Sequence, residues 1–456
     1  MKRKSLLSYG FMVFGMTFSV MMVIASPDFY HSYDTGVFDS WASTWSAGWS
    51  DLWITCTECN YPILGVIGSA GVYKILYALG VPDVIWGFRI VLGVVDGLNV
   101  LLVFLLLRQL SIKNAAFWAG LIGILISSWA GTSVWGQTDG ISQFFMLLTV
   151  LWMVFCNLSK RIPFVVYLAV FSLLLSFVLL VKQTTIFSVA GLEFLLLVSI
   201  FYRRKWISAA GYAILQLVLL GLCIFAWDLT FALPKPNISH LQLIFGARSD
   251  SGSTLSGLGV NLWTFMNQRM ETSSGLPLPF AAHTILEKIL TPHKIGGALF
   301  LLLAALLSVS ILLFLIKSRN RDGVYMGREE MLNFLLYLAV INLIFNVVWT
   351  GAHERWLHHF YPFLLIAYLG LREYDRRFSK ILLLVILAGS TIYGMWILWV
   401  IHGTITGDYY LQRCLSGFHL VFLCLLLFIS LRYQSFIKNA RAFLQSRWNR
   451  DAYRQA

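Results

Sequence analysis

Four short polar stretches interrupt an otherwise apolar chain of 456 residues, and they carry side chains that can move protons and hold phosphates. The first is Tyr33-Asp34-Thr35-Gly36-Val37-Phe38-Asp39-Ser40-Trp41-Ala42. The second is Trp135-Gly136-Gln137-Thr138-Asp139-Gly140. The third is Lys182-Gln183, and the fourth is His353-Glu354-Arg355-Trp356. A carboxylate can take a proton from a hydroxyl nucleophile, and lysine, arginine or histidine can stabilise a departing phosphate. Each stretch also has a plainer reading. Asp34 suits a turn or a helix cap, and Gly-Gln-Thr-Asp-Gly suits a tight turn between helices. Lys182 would snorkel towards headgroups, and Glu354 with Arg355 would form a local ion pair. Chemistry gains weight because ionisable groups near membrane depth are costly and usually have a purpose.

The elements that must position these groups are membrane helices. Hydrophobic residues make up 58% of the chain and charged residues only 12%, with a mean hydropathy of +0.75. A soluble domain carries about a quarter charged residues. The composition therefore predicts an all-α integral membrane protein, a single polytopic domain over residues 1–456. A spanning helix needs about 20 mainly apolar residues. Such runs predict about twelve spans, at 7–25, 85–107, 114–132, 140–158, 162–181, 184–202, 206–231, 295–316, 331–350, 358–371, 381–401 and 413–431. The first begins after Lys2-Arg3-Lys4. It is too long for a signal-peptide core and is followed by Pro27, a poor cleavage context, so it reads as a retained helix. Residues 62–80 are apolar but Gly-rich and carry Lys74; they fit either a span or a helix lying at the interface.

The net charge of +13 arbitrates. If 62–80 does not cross, one face collects Lys2 to Lys4, Arg108, Lys113, Lys160, Arg161 and Arg203 to Lys205. The same face holds Lys317 to Arg328, Arg372 to Lys380 and a basic tail at 432–456, and thus most of the 34 basic residues. If it crosses, that bias collapses. The positive-inside rule then places both termini in the cytoplasm and the segments 26–84 and 232–294 outside. All four polar stretches share that external side. The basic residues form no stripe alternating with exposed aromatics, which argues against nucleic acid as a partner.

The remaining signals are weaker. Arg89 and Asp96 fall about one and three turns into the second span and read as internal polar contacts. Cys156, Cys223, Cys414 and Cys424 lie in apolar runs, where a thiol is a small hydrophobe. Cys56 and Cys59 form a Cys-x-x-C in the first external loop, either a local disulfide or two free thiols, with no further metal ligands at hand. His358 and His359 fall at the start of a span, where packing explains them better than metal binding.

In order and wording the polar stretches resemble the GT-C superfamily of polytopic membrane glycosyltransferases. They are most similar to bacterial relatives of the enzyme that adds the second mannose to GPI anchors. The resemblance rests on Asp34, Phe38, Trp41 and Ala42, a following Tyr61-Pro62, and Trp135-Gly136-Gln137 with Asp139. It continues with Lys182 at the end of the fifth span and with His353-Glu354-Arg355-Trp356. Ile63 stands where a second proline is common, and Trp356 stands for the usual tyrosine; neither change removes a catalytic group. The resemblance implies a GT-C-like bundle with 62–80 as a juxtamembrane helix in the first external loop. It implies transfer of a hexose such as mannose from a polyprenyl-phosphate donor to a lipid or glycan hydroxyl, with inversion. Asp34 would be the base, and Lys182, Arg355 and His353 would bind the donor phosphate. Gln137, Asp139, Glu354 and Asp39 would orient substrate or support the site, and the 232–294 loop would select the acceptor. No resident cofactor or metal is expected, though a loosely held divalent cation at Asp34 and Asp139 stays open. Membrane lipids are implied partners, and compact loops suggest a bacterial inner membrane. Two other functions compete. A flippase for lipid-linked saccharides would show repeated halves and facing broken helices, and neither is visible in the sequence. A saccharide polymerase would rely on Arg248 and Arg269.

Overall fold

The computed structural model describes residues 2–45, 61–182, 185–204, 206–230, 259–266, 291–317, 325–350, 356–372, 376–402 and 410–431. His353, Glu354 and Arg355 lie outside the described residues. So do Cys56, Cys59, Arg248, Arg269, most of the 232–294 loop and the 432–456 tail. The described residues are helical throughout, with no strand among them. Nine of the helices are long and apolar enough to cross a membrane, the architecture of a multi-pass membrane protein. Expected spans at 114–132, 184–202 and 358–371 appear instead as shorter apolar helices.

The first half of the chain builds the part that matters for the site. Helix α1 (Lys2–Ala25) packs against α4 (Val84–Gln109) and α5 (Ala115–Ile124). Glycines let the backbones touch, as is usual between membrane helices. A Cβ on Gly120 would lie 2.6 Å from the Phe11 carbonyl oxygen, and one on Gly123 would lie 2.5 Å from that of Gly15.

The predicted 114–132 span is broken, for a local reason. After Leu125 the chain makes a 3₁₀ turn over Ile126–Ser128 and a π turn over Ala130–Val134. Hydroxyl side chains add bonds to carbonyls beside the break: Ser128 donates to the Ile122 carbonyl (2.7 Å) and Ser133 to that of Trp129 (3.4 Å). Such bonding helps irregular backbone persist within a protein-lined bundle.

Two further helices, α2 (Ser32–Thr44) and α3 (Ile63–Ala78), form a separate layer with their own apolar cluster. In α2 the residues Phe38, Trp41, Ala42 and Trp45 follow the i, i+3, i+4, i+7 spacing of one helix face. They pack on Ile63, Val66, Ala70 and Tyr73 of α3, on Phe88 and Leu92 of α4, and on Leu180. Helices α6 (Asp139–Ser159) and α7 (Phe164–Val181) make an antiparallel hairpin behind this layer.

The second half supplies the rest of the bundle: α8 (Ile186–Arg203), α9 (Trp206–Thr230), α10 (Pro292–Lys317) and α11 (Arg328–Val348). It ends with α12 (Phe360–Leu371), α13 (Arg376–Ile401) and α14 (Tyr410–Leu431). Helix α11 is wholly buried and contacts α8, α10 and α12. Its internal Asn333, Asn342 and Asn346 donate to carbonyls four residues back, at 2.8–2.9 Å, and Ser188 of α8 donates to Asn342 Oδ1 at 2.7 Å.

Candidate functional site

The structure joins three of the four polar stretches on one short segment, residues 135–139. Asp34 sits in the first turn of α2, and its Oδ2 accepts a hydrogen bond from the indole Nε1 of Trp135 at 2.5 Å. His31 completes this corner. Its Nδ1 lies 3.3 Å from Asp34 Oδ2, and its ring stacks on Trp135 with centroids 4.5 Å apart. The His31 amide also donates to the Trp135 carbonyl at 3.2 Å. The Trp135 indole thus holds the carboxylate, with the His31 ring close beside it.

Glycine at 136 is required by this fit. Its φ is +88°, and a Cβ there would approach Thr35 Cγ2 to 2.5 Å. Thr35 is itself tied to the neighbouring helix α3, because Tyr73 Oη donates to its carbonyl at 3.2 Å.

One residue further on, Gln137 Oε1 accepts from Tyr61 Oη (3.3 Å) and from Lys182 Nζ (3.4 Å). Lys182 lies just past the end of α7 and forms an ion pair with Asp139, the first residue of α6. Both side chains are almost wholly buried, at 2% and 0% exposure. The ammonium also lies 5.3 Å from the centre of the Tyr61 ring. Gly65 permits this crowding, since a Cβ on it would collide with the Val181 carbonyl next to Lys182. Lysine and aspartate expected to act on substrate separately are therefore each other's partners here, a neutral unit in a dry setting.

Asp39 points elsewhere. Its Oδ1 accepts from Tyr77 Oη at 2.5 Å, near the C-terminal end of α3. That hydrogen bond, foremost, raises the Tyr77 phenol above its ordinary value. Asp39 therefore braces α2 on α3, and the two aspartates of the first loop are separated by role.

The fourth stretch is reached at its trailing edge. Residues Trp356–His359 form a 3₁₀ turn docked on the start of α6. His359 Nδ1 lies 2.5 Å from Gln143 Oε1 and its Nε2 lies 3.3 Å from Ser142 Oγ. His358 Nδ1 lies 3.0 Å from the Ser127 carbonyl. Both rings are buried and feel the charges of Asp139 and Lys182. The chain enters this turn directly from His353-Glu354-Arg355.

Arg89 positions the Asp34 corner from beneath. Its buried guanidinium donates to the carbonyls of Ser26 (3.0 Å), Pro27 (2.5 Å), Phe29 (2.9 Å) and Ser133 (3.3 Å). It fixes the exit of α1 and the approach to the 135–139 segment together. Asp96 does not pair with it; its Oδ2 accepts from Thr132 Oγ1 at 2.8 Å. Among the described residues no group of three or more His, Cys, Asp or Glu gathers as a metal site. Asp34 and Asp139, the carboxylates considered for a divalent cation, are engaged by different partners.

His31 was not legible as a site residue, although its place three positions before Asp34 on the entry to a helix is a usable signal. Arg89 was legible as an internal contact but not as the brace of a functional corner. Compared with known protein families and with curated proteins, the sequence returns no match.

Proposed function

We propose that this chain is a hexosyltransferase of the GT-C kind, moving a sugar such as mannose from a polyprenyl-phosphate to a lipid or glycan hydroxyl outside the membrane. The observation that carries this reading is the Asp34 carboxylate bound by the Trp135 indole, on whose segment Gln137 and the buried Lys182–Asp139 pair also gather. Rigid positioning of a carboxylate is what a general base in sugar transfer needs, and cationic groups nearby serve the departing phosphate. Asp34 removes the proton from the acceptor hydroxyl as its oxygen bonds to the anomeric carbon. The bond from that carbon to the donor phosphate breaks, and its electron pair leaves with the phosphate. One displacement inverts the anomeric centre. Arg355 and His353 bind the departing phosphate from the 353–356 stretch, and Glu354 supports them. Lys182, neutralised by Asp139, contributes by holding Gln137 and Tyr61 in place.

The same reading places about twelve helices across a bacterial inner membrane, both termini in the cytoplasm, and α3 as the juxtamembrane helix. The length of α3, 16 residues, is short for a span. Its exposed Ile75 and Tyr77, and Leu79 just past its end, suit an interface. The test is sugar transfer by purified protein supplied with a panel of polyprenyl-phosphate sugars. Asp34→Asn should lower the rate by at least about 100-fold, the size of a general-base contribution, and Asp39→Asn should retain most of it. Full activity in the Asp34→Asn protein retires the assignment.

The break at 125–134 favours a second reading, since discontinuous helices line substrate paths in transporters. A flippase for a lipid-linked saccharide would move label across proteoliposomes without changing the sugar's linkage. Transfer of the sugar, with no such translocation, decides for the enzyme.

A further inference from the structure

Where α6 gives way to α7, and α8 to α9, two turns bring basic residues together at one end of the bundle. The first turn, residues 160–163, carries Lys160 and Arg161, and the second carries Arg204; all three are exposed. Aromatic side chains tie the two turns to each other. Tyr325 Oη donates to the Ile162 carbonyl at 2.5 Å. Burial raises the Tyr325 phenol, and the Arg204 charge works against that rise, so the guanidinium lies close by. Phe164, at the start of α7, packs edge-on against Tyr212 (centroids 4.9 Å apart) and Tyr325 (6.0 Å). Arg204 in turn lies 6.0 Å from the centre of the Tyr212 ring.

The protein does not balance this charge. Lys160 is the C-cap of α6 and Arg204 that of α8, so each meets the negative pole of a helix, about half a charge. The positive poles of α7 and α9 begin a few residues later and return the same amount, so the four helix ends cancel. Among the described residues none of the three side chains forms an ion pair. The carboxylates nearest to Tyr325 along the described chain, Glu329 and Glu330, lie in the first turn of α11 and have partners of their own. Three full positive charges are left over, and the sequence adds Arg203 and Lys205 on either side of Arg204.

The apolar neighbours decide what kind of anion fits. Trp206 and Ile207, the first two residues of α9, are 80% and 91% exposed, and the Trp206 ring rests on that of Phe201 with centroids 5.4 Å apart. A soluble anion makes no use of them. A phospholipid does, because tryptophan sits at headgroup level, isoleucine meets the chains, and basic residues meet the phosphate. We propose that this end of the bundle, through Lys160, Arg161 and Arg204 with Trp206 and Ile207, binds the headgroup of an anionic phospholipid. The two guanidinium groups take phosphate oxygens through paired N–H donors, and the Lys160 ammonium adds a point charge. Such a site is independent of whether the protein transfers sugar.

The test is native mass spectrometry of the full-length protein in detergent, titrated with phosphatidylglycerol or with phosphatidylcholine of the same acyl chains. The first phosphatidylglycerol should bind at least about tenfold more tightly than phosphatidylcholine, since each basic residue at a membrane surface is worth a factor of about five. Lys160→Gln, Arg161→Gln and Arg204→Gln combined should abolish that preference. Arg108→Gln, Lys113→Gln and Arg372→Gln combined, which remove as many charges elsewhere on the same basic face, should keep it. Equal loss in the two triple variants means a diffuse charge effect and overturns the site, as does the lack of any preference in the unsubstituted protein. Equal affinity for glycerol 3-phosphate, which has the charge and no chains, marks a soluble-anion site and overturns it too. If the first triple variant does not fold, Arg204→Gln alone should weaken phosphatidylglycerol binding about fivefold and leave phosphatidylcholine unaffected; no change overturns the site.

Discussion

At the scale of single residues, the Lys182–Asp139 pair sets the terms for every other group at the site. Both charges are buried, so removing one partner leaves the other unpaired in low dielectric, at a cost of about 3–5 kcal/mol. Lys182→Met and Asp139→Leu should each lower the melting temperature strongly in detergent. The double variant should recover most of that stability, because an apolar pair of similar volume avoids the desolvation penalty. Sugar transfer should stay low in the double variant, since Gln137 and Tyr61 lose the ammonium that orders them. Equal melting losses in single and double variants would show that the pair is not coupled. The sequence disclosed Asp34, Gln137, Asp139 and Lys182 because charged groups in an apolar chain stand out. It did not disclose that the last two are partners, nor that the Trp135 indole binds Asp34 across 101 positions. Contacts of that sequence separation leave no periodic trace.

At the scale of elements, the packing of α1 on α4 and α5 holds the base of the site, and it depends on glycines that touch backbone. Gly123→Val should destabilise by about 1–3 kcal/mol, as overpacking of a close-packed contact does. Gly221→Ala in α9, with no atom within 4 Å of the added Cβ, should be neutral or stabilise by up to about 1 kcal/mol, since alanine favours the helix. A thermal-shift comparison of the two distinguishes close approach from a general helix effect; equal shifts would count against the packing account. Helix existence was readable from apolar runs, and the long ones follow the expected bounds within a few residues. The irregular backbone within 114–132 has a clear cause. Hydropathy counts apolar residues, whereas the interruption at 125–134 is accompanied by Ser128 and Ser133 hydroxyls bonding to backbone carbonyls and by Thr132 bonding to the Asp96 carboxylate. Hydroxyl bonding of this kind is invisible to a window average. Likewise, the second apolar cluster between α2 and α3 was foreseen only as a loop with a helix in it.

At the scale of the whole molecule, the charge distribution predicts an orientation that labelling can check. On a background without cysteine, Asp28→Cys should react with a membrane-impermeant maleimide in intact cells, and Arg161→Cys should react only after permeabilisation. The reverse pattern would invert the proposed topology and remove the site from the outer face. Asp28 lies between α1 and α2, and Arg161 lies in the turn between α6 and α7, so the two report opposite ends of the bundle.

That turn has a consequence for how the chain enters the bilayer. Helices α6 and α7 are joined by only the residues 160–163, and the acidic and basic ends of the hairpin meet at its open mouth. Inserted as one unit, the hairpin carries its carboxylate and ammonium through the hydrocarbon as a cancelled couple. Inserted one helix at a time, it would drag a lone ion each time. Biogenesis of this segment is therefore expected to be concerted, with α6 waiting for the residue just past its successor before either commits to the lipid.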